Sequence, residues 1–206
     1  SASEAGCDAI AALPPHGGRY AYEELTEYYA TLARATPLPL FVYHIPEISG
    51  YDFTRKQLSQ WLKLPNVLGM KFTSFDLFRM ERLITLHPEK VILHGADQML
   101  MHGIAAGACG AIGTTYNLLG PLALKIYKAV RNGDLLSARN GQGALNDFIE
   151  QLAAAGGLRA FKALAAARLG WASAASPAPG ATPSIEKLGQ LQERLASALE
   201  TARTMP

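Results

Sequence analysis

The sequence predicts an α/β protein built on a parallel sheet, and three observations carry that expectation. Short apolar runs alternate with longer amphipathic stretches through the first half of the chain. Most of those runs are apolar at consecutive positions, the pattern of strands covered on both faces. Strand, helix and strand also follow one another at the pitch of right-handed βα crossovers.

Five strands are expected, at 8–13, 40–44, 67–72, 91–94 and 110–113. The helix expected at 23–35 carries Leu25, Tyr28, Tyr29 and Leu32 at helical spacing. A second, at 54–64, opens on Thr54 as a cap and stops at Pro65. A third, at 75–86, sets Leu77, Met80, Leu83 and Ile84 on one face before His87-Pro88. A fourth, at 97–106, is followed at once by Gly107. Beyond the fifth strand the pattern turns helical, over 119–131, 135–154, 161–168 and 185–203. A proline-rich stretch at 173–184 precedes the last helix, either as a linker or as an ordered loop. The organisation expected is a βα region over 1–132 and a helical extension over 133–206.

Composition narrows the function classes. The chain has 206 residues, 49% hydrophobic and 17% charged, with a formal net charge of +2. That apolar content argues against disorder, and the balance of charge against an electrostatic nucleic-acid binder. The longest apolar runs fall short of the roughly 18 residues that a membrane span needs. Cys7 and Cys109 are too few for a disulfide framework, although a single cystine stays open. No secretory leader is expected, so a soluble cytoplasmic protein is the default reading.

The chemistry concentrates at strand ends. Phe41-Val42-Tyr43-His44-Ile45-Pro46 closes the second expected strand, and Gly69-Met70-Lys71-Phe72-Thr73-Ser74 the third. Parallel strands bring Tyr43 and Lys71 to one carboxyl edge, with neighbouring strands about 5 Å apart. A lysine in an apolar strand is costly when charged, and desolvation favours the neutral, nucleophilic amine. A neighbouring tyrosine can relay protons. Equally, Lys71 can snorkel out of the strand end and Tyr43 can be a core aromatic. His94-Gly95-Ala96-Asp97-Gln98 and Gly113-Thr114-Thr115-Tyr116-Asn117 add small and polar groups at the same edge, where α/β folds place ligands. His44 and His102 belong to no cluster with metal-ligand spacing.

Four segments together carry a resemblance: Tyr-His-Ile-Pro-Glu-Ile-Ser-Gly (43–50), Gly-Met-Lys-Phe-Thr-Ser with Asp76-Leu77 (69–77), His-Gly-Ala-Asp (94–97) and Gly-Ala-Ile-Gly-Thr-Thr-Tyr-Asn (110–117). In that order they resemble the N-acetylneuraminate lyase branch of the pyruvate-dependent class I aldolases, the family that also contains dihydrodipicolinate synthase. The resemblance runs from about Ala5 to about Arg168 and more weakly beyond. It implies a TIM (β/α)8 barrel, of which this chain is expected to hold the last five βα units plus a helical extension. The three amino-terminal units, with the hydroxyl-rich loop that binds the pyruvate carboxylate, are expected to be missing.

The resemblance also implies roles. Lys71 falls on the lysine that forms an imine with pyruvate, and Tyr43 on the proton-shuttling tyrosine. Thr73, Gly95, Asp97 and Thr114 fall on positions that hold a sugar acid's hydroxyl-rich chain. Gln98 stands where sialic-acid lyases usually carry a glutamate, which leaves the sugar open. Glu47-Ile48-Ser49 stands where dihydrodipicolinate synthases place an arginine, which counts against that branch. Leu158 lies in a segment that lines the family's pocket. The expected activity is reversible cleavage of a 2-keto-3-deoxy sugar acid to pyruvate and an aldehyde, without a metal or cofactor. The expected partners are a small keto or sugar acid and further copies of the chain, a tetramer by resemblance, with no nucleic acid or membrane. Another pyruvate aldolase, or a catalytically silent sugar-acid-binding fragment, are the alternatives.

Overall fold

The computed structural model describes residues 2–170 and 183–206. The expected proline-rich loop therefore lies outside the described residues over 173–182. The chain divides into two compact units, one made of residues up to 96 with 102–112, the other of 97–101 with 113–206.

The first unit is a five-stranded parallel sheet. Its strands are β1 (Ile10–Ala12), β2 (Leu40–His44), β3 (Val67–Phe72), β4 (Val91–His94) and β5 (Gly110–Ala111), hydrogen-bonded in chain order. The fold class is thus α/β with a parallel sheet, as expected. The three inner strands span the residues expected of them. The two edge strands are shorter than expected, each having only one hydrogen-bonded neighbour in the sheet.

Along the inner strands the two faces differ. Leu40, Val42, Met70, Phe72 and Ile92 are fully buried, whereas Phe41, Tyr43, Lys71 and Leu93 are only half-buried. Helices α1 (Tyr22–Ala35), α2 (Pro46–Ser49), α3 (Arg55–Leu62) and α4 (Leu77–Leu86) connect the strands. Thr54 caps α3, its hydroxyl accepting the Gln57 N–H at 3.3 Å while Gln57 Oε1 accepts the Thr54 N–H at 2.9 Å. The helical layer is tied by aromatics: Trp61 stacks on Tyr22 at 5.3 Å and meets Phe53 edge-on at 4.5 Å. Its indole N–H donates to Thr26 Oγ1 at 2.8 Å.

Two glycine or asparagine positions shape the chain path. Asn66 has φ 61° immediately before β3, a region that asparagine tolerates better than most residues. Its amide repays that cost by donating to the carbonyls of Ala33, Thr36 and Leu38, pinning the α1–β2 connection beside β3. Gly69 sits where a Cβ would lie 1.8 Å from the Val91 carbonyl oxygen, so only glycine lets β3 and β4 come this close.

Past β4 the residues 97–99 form one 3₁₀ turn, and α5 (Leu100–Ala105) follows. The expected single helix over 97–106 is therefore two pieces. The second unit holds α6 (Tyr116–Arg131), α7 (Leu135–Ala154), α8 (Leu158–Leu169) and α9 (Ile185–Thr204). α6 begins three residues earlier than expected and kinks at Leu119 (φ −112°, ψ 24°). Pro121, which has no N–H and whose ring crowds the carbonyl four residues back, explains the kink. Leu122, Ile126, Leu145, Phe148, Leu191 and Leu195 are buried to within 2% and form the helical core.

Candidate active site

Tyr43 and Lys71 are direct partners in the β2–β3 register. Both side chains therefore leave the sheet on the same, half-buried face. The Lys71 Nζ donates to the Tyr43 hydroxyl at 2.9 Å and lies 4.1 Å from the centre of its ring. Sequence periodicity allowed both residues to be ordinary strand-end side chains; the register instead joins them into an amine–phenol pair.

The backbone continues the site beyond the strands. The Thr73 N–H donates to His44 O at 2.8 Å and the Gly95 N–H to Phe72 O at 2.9 Å. These two bonds extend the β2–β3–β4 ladder by one rung. A Cβ at Gly95 would lie 1.8 Å from Thr73 Oγ1 and 3.0 Å from Lys71 Cε. Gly95 is thus the residue whose smallness lets Thr73 stand against the lysine stem. Thr73 Oγ1 is buried and has no hydrogen-bond partner among the described residues, so its hydroxyl keeps its bonding capacity beside the lysine stem.

Two histidines back this face of the sheet. His44, 3% exposed, packs against Phe72 at 5.0 Å, and burial pushes its pKa down to about 4, with the Arg79 guanidinium adding to the effect. His94, fully buried, is pushed down to about 4 by the same desolvation. Both are neutral structural groups at ordinary pH. Arg79 is itself paired with Asp52 and, at 3.0 Å, with Asp76.

Asp97, Gln98 and Thr114 belong to the second unit. The Asp97 carboxylate is buried and its Oδ2 accepts two bonds, from the Thr115 N–H at 2.8 Å and the Thr115 hydroxyl at 2.6 Å. A Cβ at Gly113 would fall 1.9 Å from Asp97 Oδ1, so Gly113 makes the room that the carboxylate occupies. Tyr116, whose pKa is raised by burial and by the Asp97 charge, stands beside it. Gln98 and Thr114 are exposed, and the Thr114 carbonyl accepts from Asn117 Nδ2 at 2.9 Å.

Sequence reasoning singled out Thr114 and passed over Thr115, the neighbour that holds Asp97. It also missed Gln142 of α7, which is 4% exposed and bonded to the Asp97 backbone. A glutamine on a stripe otherwise made of Ala138, Leu145, Phe148 and Leu152 was the available signal. Leu158 opens α8 and is 55% exposed. Cys7 and Cys109 are not bridged. Among the described residues no group of three or more His, Cys, Asp or Glu could hold a metal ion, and no helix is long and apolar enough to cross a membrane.

The profile described as the dihydrodipicolinate synthetase family matches residues 1–199. The chain belongs to that family. Among curated relatives, N-acetylneuraminate lyase 2 of Escherichia coli is 38% identical over 165 residues, 80% of this chain and 54% of the relative. N-acetylneuraminate lyase of Enterobacter sp. is 39% identical over 163 residues, 79% of this chain and 55% of the relative. The chain spans about half the length of these curated relatives.

Solved structures of the family agree in fold. Wild-type sialic acid aldolase of Ruminococcus gnavus matches with a TM-score of 0.89 and 27% identity, over 100% of this chain and 69% of that one. CdNal of Clostridium difficile, in complex with mannosamine, matches with a TM-score of 0.88 and 28% identity, over 95% of this chain and 67% of that one.

Proposed function

We propose that this family member is a Schiff-base aldolase of the N-acetylneuraminate lyase type, splitting a 2-keto-3-deoxy sugar acid into pyruvate and an aldehyde. For a sialic acid the aldehyde is N-acetylmannosamine. The observation that carries the reading is the 2.9 Å contact between Lys71 Nζ and Tyr43 Oη, on a sheet face left half-open beside the unpartnered Thr73 hydroxyl. Its five βα units correspond, in this reading, to the last five of the relatives' (β/α)8 barrel. The nearest alternative is another pyruvate aldolase of the same family.

Chemically, the Lys71 amine attacks the keto carbon of the substrate, and loss of water leaves an iminium. Removal of the proton from the C4 hydroxyl lets the C3–C4 bond break, and its electron pair moves towards the iminium nitrogen. The aldehyde departs and an enamine remains. Protonation at C3 and hydrolysis then release pyruvate and restore the amine. Tyr43, already within hydrogen-bond reach of the nitrogen, carries the proton in both directions. The positive nitrogen is the electron sink, so this route calls for no metal or cofactor. Thr73, Gly95, Asp97, Gln98 and Thr114 would hold the hydroxyl-rich chain of the sugar acid. The same reading makes the protein cytoplasmic and self-associating, as a tetramer, which sedimentation velocity would test.

Borohydride reduction in the presence of pyruvate tests the chemistry directly. A mass increase fitting one reduced pyruvate is expected, and Lys71→Ala should abolish it. Tyr43→Phe should still be trapped but cleave roughly 10²–10⁴ times more slowly. No adduct at millimolar pyruvate would overturn the enzyme reading and favour a silent sugar-acid-binding protein.

A further inference from the structure

The turn that carries Asp97 and Gln98 is gripped from α7 by one buried side chain. Gln142 Oε1 accepts the Met101 N–H at 2.8 Å. Its Nε2 donates to the Asp97 carbonyl at 3.1 Å and to Asn146 Oδ1 at 2.9 Å. The Met101 N–H is one of the first amides of α5, which have no partner within their own helix. The Asp97 carbonyl lies at the other end of the same turn. A single amide therefore ties both ends of residues 97–101, while Thr115 holds the Asp97 carboxylate.

Gln142 touches nothing that reacts. It is 4% exposed and lies in the same stripe of α7 as core residues, so an apolar side chain would pack there as well. An amide at such a site is costly to bury unless all its bonds are made. Its three bonds are spent on one short turn and on Asn146, one helical turn further along α7. The exposed tip of that turn is Gln98. A shift of about 1 Å in groups that meet a substrate is enough to change how it is held.

We propose that Gln142 is a positioning residue for sugar-chain recognition, setting the placement of Asp97 and Gln98 and thereby the preference for a polyol-bearing aldehyde. This rests on the aldolase reading of the site, and it separates two jobs within it. Imine formation belongs to Lys71 and Tyr43; selection of the aldehyde belongs to the turn that Gln142 holds.

The test is condensation of pyruvate with N-acetylmannosamine, run beside a short aldehyde that lacks the polyol chain. Gln142→Met keeps the volume and removes all three bonds. It should raise KM for N-acetylmannosamine at least tenfold, leave kcat within threefold, and leave both the short aldehyde's KM and pyruvate trapping unchanged. Gln142→Glu keeps the acceptor for Met101 and loses the donor to Asp97, and should fall between wild type and Gln142→Met. It also keeps the proposal testable should the methionine variant fail to fold. An unchanged KM in a folded variant, or a parallel fall of kcat and pyruvate trapping, would overturn the role of Gln142 while leaving the aldolase reading in place. Absence of a pyruvate adduct in the unaltered protein would overturn both.

Discussion

The Tyr43–Lys71 pair and the Asp97 carboxylate are both held in place, but by different means. The first is set by backbone: strand register places the two residues opposite each other, and their side chains meet as a consequence. The second is set by side chains, through Thr115 on the carboxylate and Gln142 on the carbonyl. Backbone placement is shared over every rung of a ladder, so removing one side chain outside the pair leaves it in place. Side-chain placement depends on a few bonds that can be removed one at a time. The difference teaches where each part is vulnerable: the sheet to added volume, the turn to lost hydrogen bonds.

Adding volume on the sheet side is expected to disturb both stability and chemistry. In Gly95→Ala the new methyl would meet Thr73 and the Lys71 stem. A loss of about 1–3 kcal/mol in urea unfolding is expected, together with a clear fall in pyruvate trapping. Wild-type values for both would show that the sheet face is looser than its register implies.

Acid should act on the same side. His44 and His94 titrate near 4 in the fold against 6.5 in an unfolded chain. Their contribution is therefore fully present above pH 6.5 and is lost progressively as the pH falls towards 4. The slope is at most about 1.4 kcal/mol per pH unit for each histidine. Urea midpoints measured across that window check it, and a flat profile would show that neither ring is sealed from water.

The smallest effect is expected on the turn. Thr115→Val removes the hydroxyl bond to Asp97 and keeps the backbone one, costing about 1–2 kcal/mol. A thermal melt reads that loss. Pyruvate trapping should not change, since the backbone-set pair is untouched; a matching loss of trapping would erase the distinction between the two modes.

Legibility followed the same division. The β2, β3 and β4 runs were readable because burial on one face and half-burial on the other leave long apolar stretches, and their register needed no knowledge of rotamers. Tyr43 and Lys71 could be paired from strand order alone. Boundaries were less readable where a single residue decides them, as at Pro121, which moves the kink of α6 to Leu119. Of two adjacent threonines the sequence could not say which turns inward: Thr115 is buried and Thr114 exposed. Gln142 left one faint mark, a glutamine among the apolar positions of α7, and its partners stayed hidden because they are backbone groups more than forty residues away in the chain.

Gly69 gives the sheet something beyond close packing. Any alignment of β3 against β4 that brought Leu68 or Met70 to its place would drive a Cβ into the Val91 carbonyl. A slip by one residue would also send every β3 side chain to the other face, turning Lys71 under the helices and away from Tyr43. The glycine two positions before the lysine thus acts as a register key: only the alignment that presents the amine leaves the residue without a Cβ against the Val91 carbonyl.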